Sequence, residues 1–349
     1  MKTFGVKRGL RLLAVVSALA FAGLGAGGPG AGATETDFAT WLKGVYEEGL
    51  DRGISKATLD AALTGLAPIS RVIKHDRHQP EFTMTLKRYL ANMVPPSRVE
   101  KGKRKISEHR DLLRQVGAKF GVQPRFIVAL WGIESSFGRH RGGYSVVAAL
   151  ATLAHDGRRS AYFRKELFNA LMILDQGHIS VGAMKGSWAG AMGQSQFMPS
   201  SFLNFAVDFD GDGKRDIWNT EADVFASAAN YLKRSGWRDD QTWGREVKLP
   251  RGFDAAGAGL MPSKPPKGCR ALKHLTVRKR LSEWQRMGVR RADGGALPRP
   301  DLAASLVLPD GPGGAAFLVY DNFRAALKWN CSILFATAVG LLADRIKGG

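Results

Sequence analysis

Apolar residues three and four apart open the chain: Phe38, Trp41, Leu42 and Val45 predict an amphipathic helix over 37–50, with Asp37 as N-cap and Gly53 as its stop. "SKATLDAAL" predicts a second helix beginning at Ser55, and "PEFTMTLKRYLANMV" a third from Pro80, stopped by Pro95-Pro96. The helical period continues from about 107 to 235, interrupted at "FGVQP", "HRGGYS" and "MKGSWAGAMGQSQFMPSS". After Trp237 it is lost. Residues 238–318 are rich in Pro, Gly, Arg and Lys, and their short apolar runs, "REVKLP" and "SLVLP", predict short strands between turns, with "LSEWQRMGV" one or two helical turns among them. "FLVYDNF" reads as an extended entry into a last helix over 322–346, whose buried stripe is Phe323, Leu327, Ile333, Leu334, Ala338 and Leu341. No internal repeat is present, and the expected fold class is mainly α.

The N-terminus changes this picture first. Lys2, Lys7, Arg8 and Arg11 precede the apolar run "LLAVVSALAFAGLGA" and then "AGA" ending at Ala33, the pattern of an export signal cleaved after Ala33. The run is short for a membrane span and ends in Gly/Pro-rich sequence, and neither Cys269 nor Cys331 lies near it as a lipid anchor would require. The product is therefore expected to lie outside the cytoplasm, without a transmembrane segment. The 316 residues left from 349 suffice for one large domain or two to three subdomains.

Cleavage takes the formal charge from +20 to +16. Such a balance favours an anionic partner, and export makes nucleic acid the least fitting among nucleic acid, an anionic membrane face and an acidic wall polymer; solubility alone is the plain alternative. In an exported chain the two cysteines can pair; a free buried thiol at Cys331 is the other reading. The cluster Lys101, Lys103, Arg104 and Lys105 is expected to be a solvated face.

In "PRFIVALWGIESSFG" Phe126, Ile127, Leu130 and Ile133 share one side of a helix begun by Pro124, and Glu134 falls near its C-terminal end. Apolar neighbours and the negative helix end both disfavour an ionised carboxylate there, so the group is expected to stay protonated and able to donate a proton. Fifty residues on, the Gly/Ser-rich break with Trp188, Met192, Gln194, Gln196, Phe197 and Met198 has the composition of a groove lining; an ordinary interhelical loop is the alternative.

"GIESSFG" followed by "SWAGAMGQSQFMPSSF", then "VDFDGDGKRDIWNTEADVFASAANYL" and "NFRAALKWNCS...FATAVGLLADRI", resembles the B-type lytic murein transglycosylases, periplasmic enzymes with a lysozyme-like core. The resemblance covers nearly the whole chain beyond the signal. It implies cleavage of the bond between N-acetylmuramic acid and N-acetylglucosamine in peptidoglycan glycan strands, with Glu134 as acid and then base and a 1,6-anhydro ring as product, and no catalytic cofactor. It also implies saccharide contacts at Ser187, Gln196, Tyr231, Trp329, Asn330 and Phe335, the last two aromatics standing where some members have Tyr. The implied layout is a signal over 1–33, a helical part over 34–110, a lysozyme-like core over 111–236, a small β/loop-rich part over 237–318 and a closing segment over 319–349. Partners in wall synthesis or at the outer membrane would fit that setting. A catalytically silent wall-binding scaffold is the competing reading, and a hydrolase pairing Glu134 with Asp156 or Asp175 is a third.

"DFDGDGKRDIWN" opens like a calcium loop, with Asp208, Asp210 and Asp212 at positions 1, 3 and 5, Gly213 at 6 and the Lys214 carbonyl at 7. Asn219 stands where the standard loop has Glu; the resemblance implies closure by a later acid, here Asp223, and Asp216 can act through water. A structural calcium is expected.

Overall fold

The computed structural model describes residues 35–77, 84–264, 267–299 and 301–347; the export signal expected over 1–33 lies outside them. Among the described residues six helices come first: α1 (Glu35–Asp51), α2 (Lys56–Leu63), α3 (Ser70–Arg77), α4 (Leu86–Met93), α5 (Pro96–Glu108) and α6 (Arg110–Phe120). Ser55 caps α2 as expected, its hydroxyl accepting from Thr58 N. Two starts differ from expectation. Asp37 lies inside α1 rather than at its cap, and the third predicted helix begins not at Pro80, outside the described residues, but after Thr85, whose hydroxyl accepts from Arg88 N. Pro96 sits in the first turn of α5, where its missing N–H costs nothing.

The centre of the molecule is α7 (Pro124–Ser135), crossed by α5 and α6 and by the C-terminal helix. It is not one-sided as its apolar spacing suggested: every residue from Phe126 to Ser135 is buried, the condition of a helix enclosed on all faces. Helix α11 (Glu221–Arg234) packs against it, while α8 (Val146–His155) packs on α9 (Ser160–Asp175), α9 on α10 (Pro199–Phe205) and α10 on α11. The three predicted breaks fall between helices. A two-residue ladder, β1 (Tyr144–Ser145) against β2 (Lys185–Gly186), ties the start of α8 to the long Gly/Ser-rich loop.

The loop-rich stretch after Trp237 builds a five-stranded sheet from β3 (Gly244–Lys248), β4 (Lys279–Arg280), β5 (Arg290–Arg291), β6 (Ala303–Val307) and β7 (Ala316–Val319), in the order β4-β6-β7-β3-β5. Alternate residues of β7 serve two cores: Phe317 and Val319 join the main helical core, whereas Ala316 and Leu318 join a small one with Trp284 and Tyr320. Burial on both faces explains why β6 and β7 read as unbroken apolar runs. The helix α12 (Leu281–Arg286) covers the outer face, and Trp284 Nε1 donates to Ala304 O at 3.1 Å.

The predicted last helix is two, α13 (Asp321–Trp329) and α14 (Ile333–Arg345), bent by 119° at the intervening residues. Asn330 and Cys331 occupy the bend, Ser332 caps α14, and Cys331 pairs with Cys269, so the thiol is not free. No single described helix is long and apolar enough to cross a membrane.

Candidate active site

Glu134 is 6 % exposed, in the last turn of α7. Its Oε1 accepts a hydrogen bond from Trp329 Nε1 at 2.7 Å, so the end of α13 is brought onto the acid. The Trp329 ring is wedged between Tyr231 and Phe197, with centroids 4.8 and 5.1 Å away. Beyond Glu134 the backbone turns sharply. Ser136 and Phe137 adopt φ of 53° and 61°, a left-handed conformation that non-glycine residues hold only under compensation. The compensation is visible: Phe137 folds back onto Trp131 at 5.5 Å, into space that only Gly132 leaves, since a Cβ there would lie 2.8 Å from Phe137 Cζ.

Lys101 completes this end of the helix. Its Nζ donates to Ser136 O at 3.2 Å and lies 5.2 Å from the Phe137 ring centroid, a cation set against the negative end of α7. Burial, then Arg139 and Lys105, hold its ammonium below the usual lysine range. The expectation of a solvated basic face thus fails for Lys101, and also for Lys105, which pairs with Glu108 and sits 5.8 Å from the Trp131 ring. Four like charges in a row looked like a surface; the helical period turns two of them inward.

The Gly/Ser-rich loop is built from its own polar side chains. Ser187 is buried, and its hydroxyl accepts from Ala189 N at 3.3 Å and Ala191 N at 3.0 Å. Gln196, at φ 49°, donates through Nε2 to Gly193 O at 2.8 Å and Arg141 O at 3.2 Å. Tyr231 packs against Phe205 with tilted rings at 4.4 Å and donates to Lys328 O at 2.6 Å; burial pushes its hydroxyl up to about 12, so it stays a donor. Asn330 is half-buried at the bend after Trp329. Phe335 differs from the expectation of a groove contact: it is wholly buried in the first turn of α14 and offers no surface to a ligand.

Two residues join these parts, Gln194, which the sequence placed in the groove lining, and Arg141, which sequence reasoning missed. Gln194 accepts from Trp131 Nε1 at 2.7 Å and donates to Trp218 O at 3.0 Å, linking α7 to the acidic loop. Arg141 donates to Trp218 O at 2.6 Å and Asn219 Oδ1 at 3.1 Å while its carbonyl accepts from Gln196. The signal for Gln194 was present in the loop composition, whereas Arg141 in "HRGGYS" carried none.

In the acidic loop Asp208, Asp210 and Asp212 each bring a carboxylate oxygen within 4.8 Å of the others. Asp208 also accepts from Gly211 N at 2.7 Å and Gly213 N at 2.9 Å, and Lys214 N donates to Asp212 Oδ1 at 2.8 Å, so loop amides shape the cluster. Three carboxylates that close, with the oxygen chemistry a hard cation prefers, fit a calcium ion. Asp223 departs from the predicted ligand set. It lies beneath the loop, fully buried, accepting from Phe209 N and Asp216 N at 2.7 Å each, and stands outside the three-carboxylate group. Burial, opposed by those two N–H donors, pushes its carboxyl up to about 6. Asp216 is engaged likewise, receiving Trp218 N and Asn219 N at 2.9 Å.

A buried helix-end acid, a loop of small and amide residues and an acidic loop are thus joined in one network. The family model described as "Transglycosylase SLT domain" matches residues 37–344. The chain belongs to this family. It is 38 % identical over 191 residues to membrane-bound lytic murein transglycosylase B of Escherichia coli, a match that takes in 51 % of this chain and 53 % of that protein, so the chain spans about half the length of this curated relative. Among solved structures, SltB3 of Pseudomonas aeruginosa in complex with NAG-anhNAM-pentapeptide has a TM-score of 0.82 at 46 % identity, covering 89 % of this chain and 80 % of that one. The Escherichia coli lytic transglycosylase Slt35 in complex with calcium has a TM-score of 0.71 at 27 % identity, covering 87 % and 92 %. The mainly helical fold expected from the sequence is that of these lysozyme-like transglycosylases.

Proposed function

We propose that the protein is a lytic transglycosylase that cleaves the MurNAc–GlcNAc β-1,4 bond of peptidoglycan and leaves 1,6-anhydro-MurNAc ends. The observation that carries this reading is the burial of Glu134 among apolar side chains, one oxygen held by Trp329. The reaction calls for a carboxyl that starts protonated, as a general acid must. It protonates the glycosidic oxygen as the bond to the anomeric carbon breaks; the resulting carboxylate takes the proton of the muramoyl 6-hydroxyl as that oxygen bonds to the same carbon. The proton count on Glu134 is restored, and no water enters. Glycosidases that use a second carboxylate need it across the bond, whereas a substrate that supplies its own nucleophile does not.

Two observations disfavour the hydrolase reading. Asp175 braces the start of α2, accepting from Ser55 Oγ at 2.5 Å and Thr58 Oγ1 at 2.8 Å, and Asp156 pairs with Arg77 at 2.9 Å, so both acids have structural work elsewhere. In the proposed site Ser187, Gln196, Tyr231, Trp329 and Asn330 line the saccharide cleft. Gln196 is the hydrogen-bonding contact, and Ser187 and Tyr231 also maintain its walls. A calcium ion on Asp208, Asp210, Asp212 and the Lys214 carbonyl fixes the loop whose Ile217 and Trp218 carbonyls hold Gln194. Export through the 1–33 signal to the periplasm brings the basic chain to the carboxylate-bearing wall, drawn by a field that salt weakens.

The test is Glu134→Gln, which keeps shape and hydrogen bonding but removes the acid. Turnover of sacculi falls at least ~100-fold while glycan binding and melting temperature are retained; a variant that still cleaves well removes Glu134 from the mechanism, and wild-type protein that binds glycan without cleaving it leaves the silent scaffold.

A further inference from the structure

A cavity of about 420 Å³ opens beside α13, lined by Arg278, Arg324, Lys328 and Asp321, with Leu272 and Leu327 as apolar walls. Neither Glu134 nor Gln196 lines it. The charges do not balance: three cations face one carboxylate. Arg278 is paired with Asp321 at 2.6 Å. Arg324, half-buried, donates to Ser305 Oγ at 2.8 Å, and Lys328 Nζ donates to Ser235 O at 2.9 Å; among the described residues neither has an ion pair. Burial, and then the charge of Arg278, pull the Arg324 guanidinium below its ordinary value, and Asp321, already paired with Arg278, offsets them only in part. A half-buried guanidinium facing a second cation without its own acid is destabilising unless an anion completes it, and its planar fork of donors suits a carboxylate.

Arg324 and Lys328 are four residues apart and share one face of α13, while Trp329, the next residue, is the one that reaches Glu134. The cavity and the acid therefore lie on different sides of one helix, a separation of about 10 Å. An extended peptide of five residues spans about 17 Å and reaches across it. A free phosphate would have no use for the two leucine walls; an alkyl side chain next to a peptide carboxylate would.

We propose that this cavity is a subsite for a carboxylate of the peptide carried by the glycan strand, distinct from the saccharide cleft. The assignment rests on the transglycosylase reading for the identity of the polymer. It makes Arg324 and Lys328 specificity residues for peptide-bearing over bare glycan.

The experiment is a calorimetric titration of the full chain with a synthetic wall-stem pentapeptide bearing free carboxylates, with the same peptide amidated, and with acetate and inorganic phosphate, repeated on Arg324→Gln and Lys328→Gln. The free peptide binds, amidation weakens it at least tenfold, each variant that melts like wild type weakens it at least tenfold, and acetate and phosphate bind far more weakly. Lys328→Gln, which keeps a donor to Ser235 O, carries the test if Arg324→Gln does not fold. Equal binding of free and amidated peptide, unchanged affinity in Lys328→Gln, or phosphate binding as tightly as peptide overturns the proposal. Failure of the parent reading would look different: no anhydro product from wild-type protein on any glycan, whatever the titration gives.

Discussion

The indole Nε1 of Trp329 donates to Glu134 Oε1 at 2.7 Å, joining two residues 195 apart in the chain. This contact joins the end of α13 to the end of α7, and it makes the orientation of the acid depend on the packing of Trp329 against Tyr231 and Phe197.

Trp329→Phe keeps an aromatic ring in that stack and removes the donor. A hydrogen bond to an uncharged carboxyl contributes about 0.5–1.5 kcal/mol, so turnover is expected to fall roughly two- to tenfold, with the melting temperature changed little. Steady-state kinetics beside thermal unfolding check this; unchanged turnover would mean that Trp329 does not orient the acid.

Calcium is expected to raise the melting temperature, and Asp210→Ala to abolish the increase, because the three neighbouring carboxylates repel one another without a cation. Differential scanning calorimetry with calcium and with chelator decides it, and equal melting in both conditions would exclude the ion. Activity should follow the loss of calcium only in part, through Gln194 and Arg141, which grip the end of the loop.

His109 stands edge-on to Trp131 and Phe225 at 5.6 and 5.3 Å, its Nε2 buried without a hydrogen-bond partner among the described residues. Burial, then Lys105, hold its imidazole below the ordinary value of 6.5. The unfolded chain therefore takes up this proton first, and stability present above that pH is lost as the pH falls through it. Melting temperature should drop more between about pH 7.5 and about pH 5 for wild type than for His109→Gln; equal slopes would show that His109 is not strained by protonation.

Much of this was legible in the order of residues. The period of 3.6 announced the helices, its loss at Trp237 announced the sheet, and "GIESSFG" marked the acid. Features made by chain segments far apart were not legible. The inward turn of Lys101 needs the end of α7 beside α5, the enclosure of α7 on every face needs α14, and the bend at Asn330 hides in an apolar pattern that runs straight through it. The disulfide of Cys269 and Cys331 was open between two readings until the bend met the segment before β4. Asp223 was expected as a metal ligand because the resemblance implies closure of the loop by a later acid; its burial under two amide donors appears only in three dimensions.

The central claim is that one carboxyl group, without water, opens the glycan strand by making the substrate close on itself. Digestion of sacculi in ¹⁸O-labelled water, followed by mass spectrometry of the fragments, tests it most directly. The account predicts muropeptides ending in an anhydro ring, lighter by one water than a reducing end and free of label; reducing ends carrying ¹⁸O would contradict it.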